Sequence, residues 1–317
     1  MDLEPIRFAG APTPMQRCDD LAEAIGLERG QLYFKRDDLT AIAGGGNKAR
    51  KLEYLCADAI GSGATTLVTG GAAQSNHVRM TAVAAAMTGL GCVAVLRGDP
   101  SGAPQGNLVL DNIAGAELVF TGDAYSDDLD DVIVDTAAAT DGGYAIPLGG
   151  STPVGCLGYV EAADEIDDQG PADSLVVHAT GSGGTHAGLV AGFGDHARVT
   201  AVDVGAVREI TPKVANLASQ TAVLAGRRVP VGSPNVIEGF VGDGYGAKTD
   251  ATRTAISLAL RHAGVVLDPV YSGKAFGGLV HLAGEGRLGS DRPIVFVATG
   301  GSPVLFTERY ATWVGKR

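Results

Sequence analysis

The chain has 317 residues, of which 45% are hydrophobic and 19% charged, so it is long enough for one large globular domain or two of ordinary size. Its formal net charge of −12 repels nucleic-acid phosphates and anionic lipids, and the composition therefore argues against both kinds of partner. The acidic excess, combined with few lysines, also suits a protein that stays soluble in high salt, which gives the hypothesis of a halophilic protein.

Neither the cysteines nor the N-terminus points to export or to a metal ion. The four cysteines are far apart, without the paired spacing of a zinc site, and we expect small buried thiols at Cys56, Cys92 and Cys156. The first residues lack the basic and then apolar order of a signal peptide, and no uncharged apolar run of about 18 residues is present to span a bilayer. We therefore expect a cytoplasmic protein without a metal.

From about residue 64 onward, short β-branched runs alternate with helical periods. The predicted strands are TTLVTGG, CVAVLRG, AELVFTG, YAIPLGG, SLVVHATG, RVTAVDVG and PIVFVATGG. The predicted helices cover residues 76–87, 107–113, 128–139, 210–225 and 249–262, and a further helix starts at 185. Strands that alternate with helices form parallel sheets buried on both faces, so the sequence predicts a doubly wound α/β fold. Glycine and proline punctuation places a domain boundary near 150–156.

Glycine-rich segments sit where strands end and helices begin, which is where open α/β sheets bind ligands. The first, AGGGNKARKLEYL at residues 43–55, places Lys48 after three glycines and an asparagine and directly before a helix. A lysine with so little bulk around it can form a Schiff base with a carbonyl cofactor. An ordinary exposed lysine in a loop explains this pattern equally well.

The second segment, GGAAQSNHVRM at residues 70–80, crowds Gln74, Ser75, Asn76 and His77 at a helix N-terminus. Ser75 is either a helix cap or a hydroxyl for proton transfer, because the exposed N–H groups at such a position also hold a carboxylate or a phosphate. His77 is interpreted as a packing residue rather than a catalyst.

The third segment, ATGSGGTHAGL at residues 179–189, has the order strand, glycine turn, helix. Its consecutive N–H groups, together with the hydroxyls of Ser182 and Thr185, make a cup for a phosphate group. The third glycine of a dinucleotide fingerprint would fall on His186, and the P-loop spacing is missing. A small phosphate-bearing cofactor therefore fits better than ATP.

Two tyrosines and a threonine complete the candidate site. Tyr245 in EGFVGDGYG and Tyr271 in LDPVYSGKAFGG lie in glycine-rich, loop-like contexts, and Thr299 lies in FVATGGSP. Either tyrosine alone is more typical of a buried structural phenol, but the segments together indicate a binding site.

Taken in order, GGGNKARKLEYL, QSNHVR, GSGGTHAGL, LDPVYSGKAFGGL and ATGGSP resemble the D-cysteine desulfhydrase and 1-aminocyclopropane-1-carboxylate deaminase family, over nearly the whole chain. The resemblance implies the tryptophan-synthase-β-like fold of pyridoxal-phosphate enzymes (fold type II), with two doubly wound α/β domains, and a homodimer. It also implies a discontinuous large domain, residues 1–48 and 157–317, around a small inserted domain, residues 49–156. This division replaces the boundary drawn from punctuation.

The resemblance also assigns roles to individual residues. Lys48 is expected to hold pyridoxal 5'-phosphate as a Schiff base, and Ser75, Tyr245 and Tyr271 are expected to act on the substrate. Thr299 is expected to meet the pyridine nitrogen of the cofactor. The remaining cofactor-binding positions implied are Lys51, Asn76, Gly181, Ser182, Gly183, Gly184 and Thr185. The implied substrate-binding residues are Gln74, Ser75, Asn76, Tyr245 and Tyr271.

Details of the motifs favour the desulfhydrase branch, because His77 follows Asn76 and Ser272 stands where the deaminase type has a glutamate. The resemblance thus implies an α,β-eliminating lyase for a small amino acid (D-cysteine, L-cysteine or L-cysteate) that releases sulfide or sulfite with pyruvate and ammonia. The alternative within the family is 1-aminocyclopropane-1-carboxylate deaminase, which yields 2-oxobutyrate and ammonia. The alternatives from other classes are a nicotinamide-dependent oxidoreductase and a non-catalytic pyridoxal-phosphate-binding protein.

Overall fold

The computed structural model describes residues 3–100, 102–122, 129–288 and 292–315. The strands in these ranges are β1 (Met15–Arg17), β2 (Leu32–Lys35), β3 (Thr66–Ala72), β4 (Gly91–Arg97), β5 (Glu117–Phe120), β6 (Gly143–Ala145), β7 (Leu175–Thr180), β8 (Val199–Asp203), β9 (Asn235–Ile237) and β10 (Ile294–Val297). They form a six-stranded sheet in the order β1-β2-β10-β7-β8-β9 and a four-stranded sheet in the order β5-β4-β3-β6. Neighbouring strands are parallel in both sheets, except that β1 and β2 are antiparallel.

Helices connect most of these strands, as the alternating pattern predicts. Within the described ranges they are α1 (Asp19–Ala24), α2 (Lys48–Gly61), α3 (Asn76–Thr88), α4 (Asn107–Ile113), α5 (Leu129–Ala139), α6 (Pro153–Gln169), α7 (Gly184–Phe193), α8 (Ile210–Leu224), α9 (Asp250–Ala263), α10 (Ser272–Gly284) and α11 (Glu308–Val314). The predicted helices are confirmed to within about a residue at each end, and Asp128, the predicted start of α5, lies outside the described residues. The prediction missed β1, β2, β9, α1, α6, α10 and α11.

The sequence analysis does not predict α6, because the start of this helix lies in the stretch near 150–156 that is interpreted as the punctuation of a domain boundary. The glycines of α6 and α7 do not mark a boundary. They serve close helix packing instead. A Cβ added at Gly158 of α6 would lie 2.2 Å from the carbonyl oxygen of Arg50 in α2, and one at Gly188 of α7 would lie 2.4 Å from the carbonyl oxygen of Cys156 in α6. The missing side chains therefore let α2, α6 and α7 approach one another closely.

Both sheets are buried on both faces, which confirms the predicted α/β fold. In β10, Ile294 and Phe296 belong to one hydrophobic core, whereas Val295 and Val297 belong to the core on the opposite face. This alternation follows from the two-residue period of a strand, with helices covering each side. The four cysteines are free, buried thiols, as expected for Cys56, Cys92 and Cys156.

The strands of the smaller sheet are contiguous in sequence, whereas the larger sheet takes strands from both sides of them. The predicted division into residues 1–48 with 157–317 and residues 49–156 stays a prediction. Among the described residues, no helix combines the length and the apolar character needed to cross a membrane.

Candidate active site

A cavity of about 630 Å³ lies at the carboxyl ends of strands from both sheets, with residues 70–72 of β3, Arg97 of β4 and Thr180 of β7 in its wall. Most of the predicted site residues line it: Lys48, Gln74, Ser75, Asn76, Gly181, Ser182, Gly183, Thr185, Tyr245, Tyr271 and Thr299. The other two, Lys51 and Gly184, are outside the lining but lie against each other beside it. The structure therefore brings the separate sequence segments together around one cavity.

The loop before Lys48 fixes where this side chain enters the cavity. Lys48 is the first residue of α2. A Cβ at Gly45, whose φ is +78°, would lie 1.8 Å from the carbonyl oxygen of Asp38, so only glycine fits there. The amide of Asn47 donates to the carbonyl oxygen of Thr299 at 3.0 Å. The loop is thus anchored on the segment that follows β10.

The Lys48 side chain is half-buried, and its surroundings favour the neutral form of its amine over the charged form. Burial, reinforced by the charge of Lys51, holds the pKa of Lys48 well below its ordinary value. Within the described ranges no carboxylate forms an ion pair with it. A neutral lysine amine is a nucleophile for an aldehyde, which is the chemistry that the sequence pattern predicts for this position.

The turn between β7 and α7 places the first N–H groups of α7 at the cavity, where a helix has donors without intrahelical partners. Lys51 lies beside this turn, and its Nζ donates to the carbonyl oxygen of Gly149 (3.0 Å) and to Ser151 Oγ (3.4 Å). A Cβ at Gly184 would lie 2.4 Å from Lys51 Nζ. The glycine therefore lets the ammonium group reach the turn.

Lys51 is a fully buried cation without a carboxylate partner in the described part of the chain. Burial lowers its pKa to about 8, so the ammonium form still predominates at neutral pH. Burying an unpaired charge costs desolvation free energy unless a counter-ion neutralises it. The turn and Lys51 together therefore fit an anionic group with several oxygen atoms, such as a phosphate.

The hydroxyl oxygens of Ser75 and Thr185 each accept a hydrogen bond from another group of the protein. Ser75 Oγ accepts the amide of Val78 at 3.3 Å, which confirms that Ser75 caps α3, and Thr185 Oγ1 accepts the side-chain amide of Asn47 at 2.9 Å. A hydroxyl accepts and donates at once, so both O–H hydrogens are left for a ligand. Capping and proton transfer are therefore compatible roles for Ser75.

Tyr245 and Tyr271 meet at the cavity wall, with their hydroxyls hydrogen-bonded to each other and their rings edge to face. Burial raises the pKa of Tyr271 to about 12 and that of Tyr245 well above its ordinary value, so both phenols are protonated at neutral pH. The buried carboxylate of Asp268 accepts the amides of Tyr271 (2.9 Å) and Ser272 (2.7 Å), which fixes Tyr271 at the start of α10. Sequence reasoning missed Asp268, although an aspartate just ahead of a helix is a recognisable capping signal.

The side-chain amide of Gln74 is engaged inside the protein. Its Oε1 accepts the backbone amide of Asn107 at 2.9 Å, and its Nε2 donates to the carbonyl oxygen of Gln105 at 2.9 Å. These bonds join the second glycine segment to the start of α4. The predicted contact between Gln74 and a substrate, which stays a prediction, would compete with both of them.

Among the further side chains that line the cavity without being site residues predicted from the sequence, four are ionisable at or near neutral pH: His77, Arg97, Glu308 and Arg309. Burial, together with the charge of Lys48, holds the pKa of His77 well below its ordinary value, so the imidazole is neutral. Arg97 and Arg309 bring two positive charges to the cavity wall, and the carboxylate of Glu308 brings one negative charge.

The chain belongs to the pyridoxal-phosphate dependent enzymes, whose family model matches residues 6–300. The site fits this cofactor, since a neutral lysine amine suits its aldehyde and the cup beside Lys51 suits its phosphate. The residues that would hold it are Lys48, Lys51 and the turn at 181–185. The family match thus favours pyridoxal phosphate over the nicotinamide alternative.

Within this family, the chain is 41% identical over 320 residues to the D-cysteine desulfhydrase of Salmonella typhimurium, an alignment that covers 95% of each chain. It also matches the solved structure of an ACC deaminase homologue with a TM-score of 0.89 and 37% identity, over 99% of this chain and 96% of the other. Both findings confirm the family resemblance stated from the motifs.

More distant structures share the fold alone. A pyridoxal 5'-phosphate-dependent aspartate racemase matches with a TM-score of 0.65 and 19% identity, over 91% of this chain and 90% of the racemase. Threonine deaminase isoform 2 from Solanum lycopersicum matches with a TM-score of 0.65 and 16% identity, over 95% and 82% of the two chains. The predicted fold of type II pyridoxal-phosphate enzymes is therefore confirmed.

Proposed function

We propose that this protein is a pyridoxal-phosphate-dependent lyase that removes a sulfur group from Cβ of a cysteine-like amino acid. The observation that carries the proposal is the 41% identity to a D-cysteine desulfhydrase over 95% of both chains. The reaction converts D-cysteine, L-cysteine or L-cysteate, with one water, into pyruvate, ammonia and either sulfide or sulfite. Bound pyridoxal phosphate supplies the electron sink that such an elimination needs.

We assign proton transfer at Cα to Lys48 or Ser75. Because burial holds the pKa of Lys48 well below its ordinary value, the surroundings favour the neutral form of its amine, which is the form that accepts a proton. Ser75 retains its O–H hydrogen while its oxygen accepts the Val78 amide, so it can donate a hydrogen bond to a ligand. The face of Cα that the base approaches decides which stereoisomer reacts.

We assign Tyr245 and Tyr271 to the Cβ side of the substrate. One phenol donates to the other, which leaves one phenolic hydrogen for a ligand. Because both hydroxyls are protonated at neutral pH, this hydrogen can bond to the sulfur group as negative charge develops on it. The tyrosine pair therefore supports departure of a thiolate or a sulfite.

Arg97 and Arg309 bear on the identity of the leaving group, because both line the cavity. Guanidinium groups bind anionic oxygens in charge-assisted hydrogen bonds, so their presence supports an anionic sulfonate such as that of L-cysteate. The name of the Salmonella relative supports D-cysteine instead. Both substrates belong in the first test.

We further propose a homodimer, which the family resemblance supports, and a cytoplasmic location, which is the expectation from the sequence. Light scattering on the purified protein tests the assembly. A mass twice that of the chain is expected, and the mass of a single chain would contradict the dimer.

The decisive experiment is a substrate panel with purified protein, pyridoxal phosphate and either low or molar salt. The panel contains D-cysteine, L-cysteine, L-cysteate and 1-aminocyclopropane-1-carboxylate, scored for pyruvate, 2-oxobutyrate, sulfide and sulfite. Pyruvate with sulfide or sulfite supports the lyase and identifies its substrate. Formation of 2-oxobutyrate instead would favour the ring-opening deaminase, and a bound cofactor without any product would favour a non-catalytic protein.

Ser75→Ala tests the proton-transfer assignment. We expect this variant to bind the cofactor and to lose most of its turnover. Thr249→Ala is a matched control, because Thr249 Oγ1 caps α9 in the same way, accepting the Thr252 amide at 3.2 Å, and lies away from the cavity. Loss of turnover in both variants would mean that the lost helix cap, rather than the lost hydroxyl hydrogen, explains the effect.

A further inference from the structure

Arg79 belongs to the QSNHVR motif but has no part in the reaction proposed above. Its side chain is fully buried in α3 and does not line the cavity. Through Nη1 it donates to Asn76 Oδ1 (2.9 Å) and Asn107 Oδ1 (2.7 Å), and through Nη2 it donates to the carbonyl oxygen of Gly45 (3.0 Å). One guanidinium group therefore joins α3, α4 and the glycine loop ahead of Lys48.

The first consequence concerns the orientation of the Asn76 side chain. Besides the bond from Arg79, Asn76 Oδ1 accepts Asn107 Nδ2 at 2.9 Å. Because two donors face this atom, it has to be the amide oxygen, and Nδ2 is the end left over. In the described part of the chain Nδ2 donates to no protein acceptor, and the space beside it exists because residue 301 is a glycine, whose Cβ would lie 2.5 Å away. Arg79 and Asn107 thus leave the Asn76 N–H groups to a ligand in the cavity.

The second consequence concerns the loop that carries Lys48. Gly45 and both neighbouring glycines have positive φ. Glycine adopts this conformation readily, but a run of three glycines can adopt many other conformations as well. External bonds must therefore select it. Arg79 holds the carbonyl oxygen of Gly45 from one side, and the carbonyl oxygen of Thr299 holds the amide of Asn47 from the other.

An arginine is needed for this arrangement, and it is a costly residue to place there. The planar guanidinium spans acceptors on separate segments, whereas a lysine ammonium is a single point. Its hydrogen-bond partners in the described residues are neutral oxygens, and burial lowers the pKa of Arg79 to about 10. The carboxyl groups near enough to favour the charged form of Arg79 are Asp111 and Asp268, and neither accepts a hydrogen bond from it. The buried carboxyl oxygens of Asp111 lack hydrogen-bond partners in the described ranges. A methionine would fill the same space without this cost, so hydrophobic packing alone does not account for the arginine.

We propose that Arg79 is a positioning residue for pyridoxal phosphate, which turns the Asn76 amide toward the cofactor and holds the loop that places Lys48. The inference rests on the cofactor site of the proposed function. It assigns a role to the arginine of the QSNHVR motif. It also adds Asn107, which the sequence analysis does not select, to the residues that support the site.

The test compares Arg79→Met, which removes the donors, with Arg79→Lys, which keeps the charge but does not span the separate acceptors. Thr81→Val is the matched control, because it removes one buried hydrogen bond from the same helix, Thr81 Oγ1 to the His77 carbonyl oxygen at 2.9 Å. Two quantities are measured: amide hydrogen exchange of residues 44–48 without cofactor, and the dissociation constant for pyridoxal phosphate by absorbance titration.

We expect Arg79→Met to exchange faster at residues 44–48 and to bind the cofactor roughly 10–100-fold more weakly, by analogy with the loss of an outer-shell partner at a metal site. Arg79→Lys should show a smaller change in the same direction, and Thr81→Val should behave as the wild type. Wild-type exchange and affinity in a folded Arg79 variant would overturn the inference. If Arg79→Met does not fold, the exchange and cofactor affinity of Arg79→Lys decide whether the inference holds. A wild-type protein that never binds the cofactor would refute the proposed function, and the exchange data would still show whether Arg79 holds the loop.

Discussion

Gly184→Ala tests the proposed phosphate cup directly, because it adds one methyl group and removes nothing. Gly184 is the first residue of α7. The added Cβ would lie 2.4 Å from Lys51 Nζ and 2.6 Å from Ser151 Oγ. Both atoms end side chains that can rotate aside. The nearest backbone atom, Ser151 Cα at 3.1 Å, has to shift by only a few tenths of an ångström. Alanine also favours a helix over glycine by up to about 1 kcal/mol, so we expect a folded variant in which the Lys51 ammonium is displaced.

The magnitude follows from the contact that is lost. A hydrogen bond to a charged group contributes about 1.5–3 kcal/mol, and here both the ammonium and the phosphate are charged. Loss of that contact should raise the dissociation constant for pyridoxal phosphate by about 10–150-fold. Absorbance titration of the cofactor-free protein measures this change. The band of the lysine-bound cofactor should keep its shape, because Lys48 is untouched.

Gly284→Ala provides the matched control. Gly284 is the last residue of α10, and a Cβ there would meet nothing within 4 Å. The same chemical change in a helix, without the crowding, should leave the cofactor affinity as it is in the wild type. If Gly184→Ala also bound the cofactor as tightly as the wild type, Lys51 would not be contributing to the binding of the phosphate, and the reasoning would be refuted.

Three further predictions address the lysine, the buried histidines and the buried ion pairs. Lys48→Ala should lose the visible band of the lysine-bound cofactor and all turnover, and full activity of the pure variant would rule out the proposed mechanism. Burial lowers the pKa of His178 to about 4, so the folded protein keeps it neutral while the unfolded chain protonates from its ordinary value of 6.5 downward. The burial of His178 therefore does not reduce the free energy of unfolding above about pH 6.5. Between pH 6.5 and pH 4, His178 should lower the free energy of unfolding by about 1.4 kcal/mol for each unit by which the pH falls. Urea titrations across the window should give a shallower dependence for His178→Gln, and equal slopes would contradict this. Arg50 bonds Asp37 (2.9 Å) and Glu165 (2.7 Å), so Arg50→Met should cost about 3–5 kcal/mol by leaving a buried carboxylate unpaired, and an unchanged urea midpoint would show that the network is not stabilising.

The parts of the site that could be predicted from the sequence are those formed by residues close together in the chain. Ser75 precedes α3 as a helix cap, and the turn at 181–184 follows β7 directly, so each feature is complete within about ten residues. Such segments end up together because the carboxyl ends of parallel strands share one edge of their sheet. The same geometry explains why Lys48 and Thr299, far apart in the chain, line one cavity.

The supporting residues could not be predicted, because their partners are distant in sequence. Arg79 reaches Gly45 and Asn107 across separations of 34 and 28 residues, and no local pattern states which carbonyl oxygen a buried guanidinium will meet. The helix α10 could not be predicted for a different reason, because its glycines are typical of a turn. A Cβ at Gly278 would lie 2.8 Å from Val202 in β8, so that glycine serves the contact between the helix and the sheet.

The distribution of donors and acceptors around the cavity explains which ligands it accepts. Its acceptor atoms are largely used within the protein: Asn76 Oδ1 by Arg79 and Asn107, Thr185 Oγ1 by Asn47, and both Asp268 oxygens by backbone amides. What remains for a ligand consists mainly of donors: the amine of Lys48, N–H groups at Asn76 and at the start of α7, the hydroxyl hydrogens of Ser75 and Thr185, one hydrogen of the tyrosine pair, and the charge of Lys51. At the cavity wall, Arg97 and Arg309 add two more cations and Glu308 adds one carboxylate. A ligand that satisfies these groups has to be anionic and rich in acceptors, since a donor-rich neutral molecule would leave buried N–H groups unpaired. The phosphate of the cofactor and the carboxylate of an amino acid meet this requirement, so the polarity of the site selects this ligand class before the shape of the cavity distinguishes one amino acid from another.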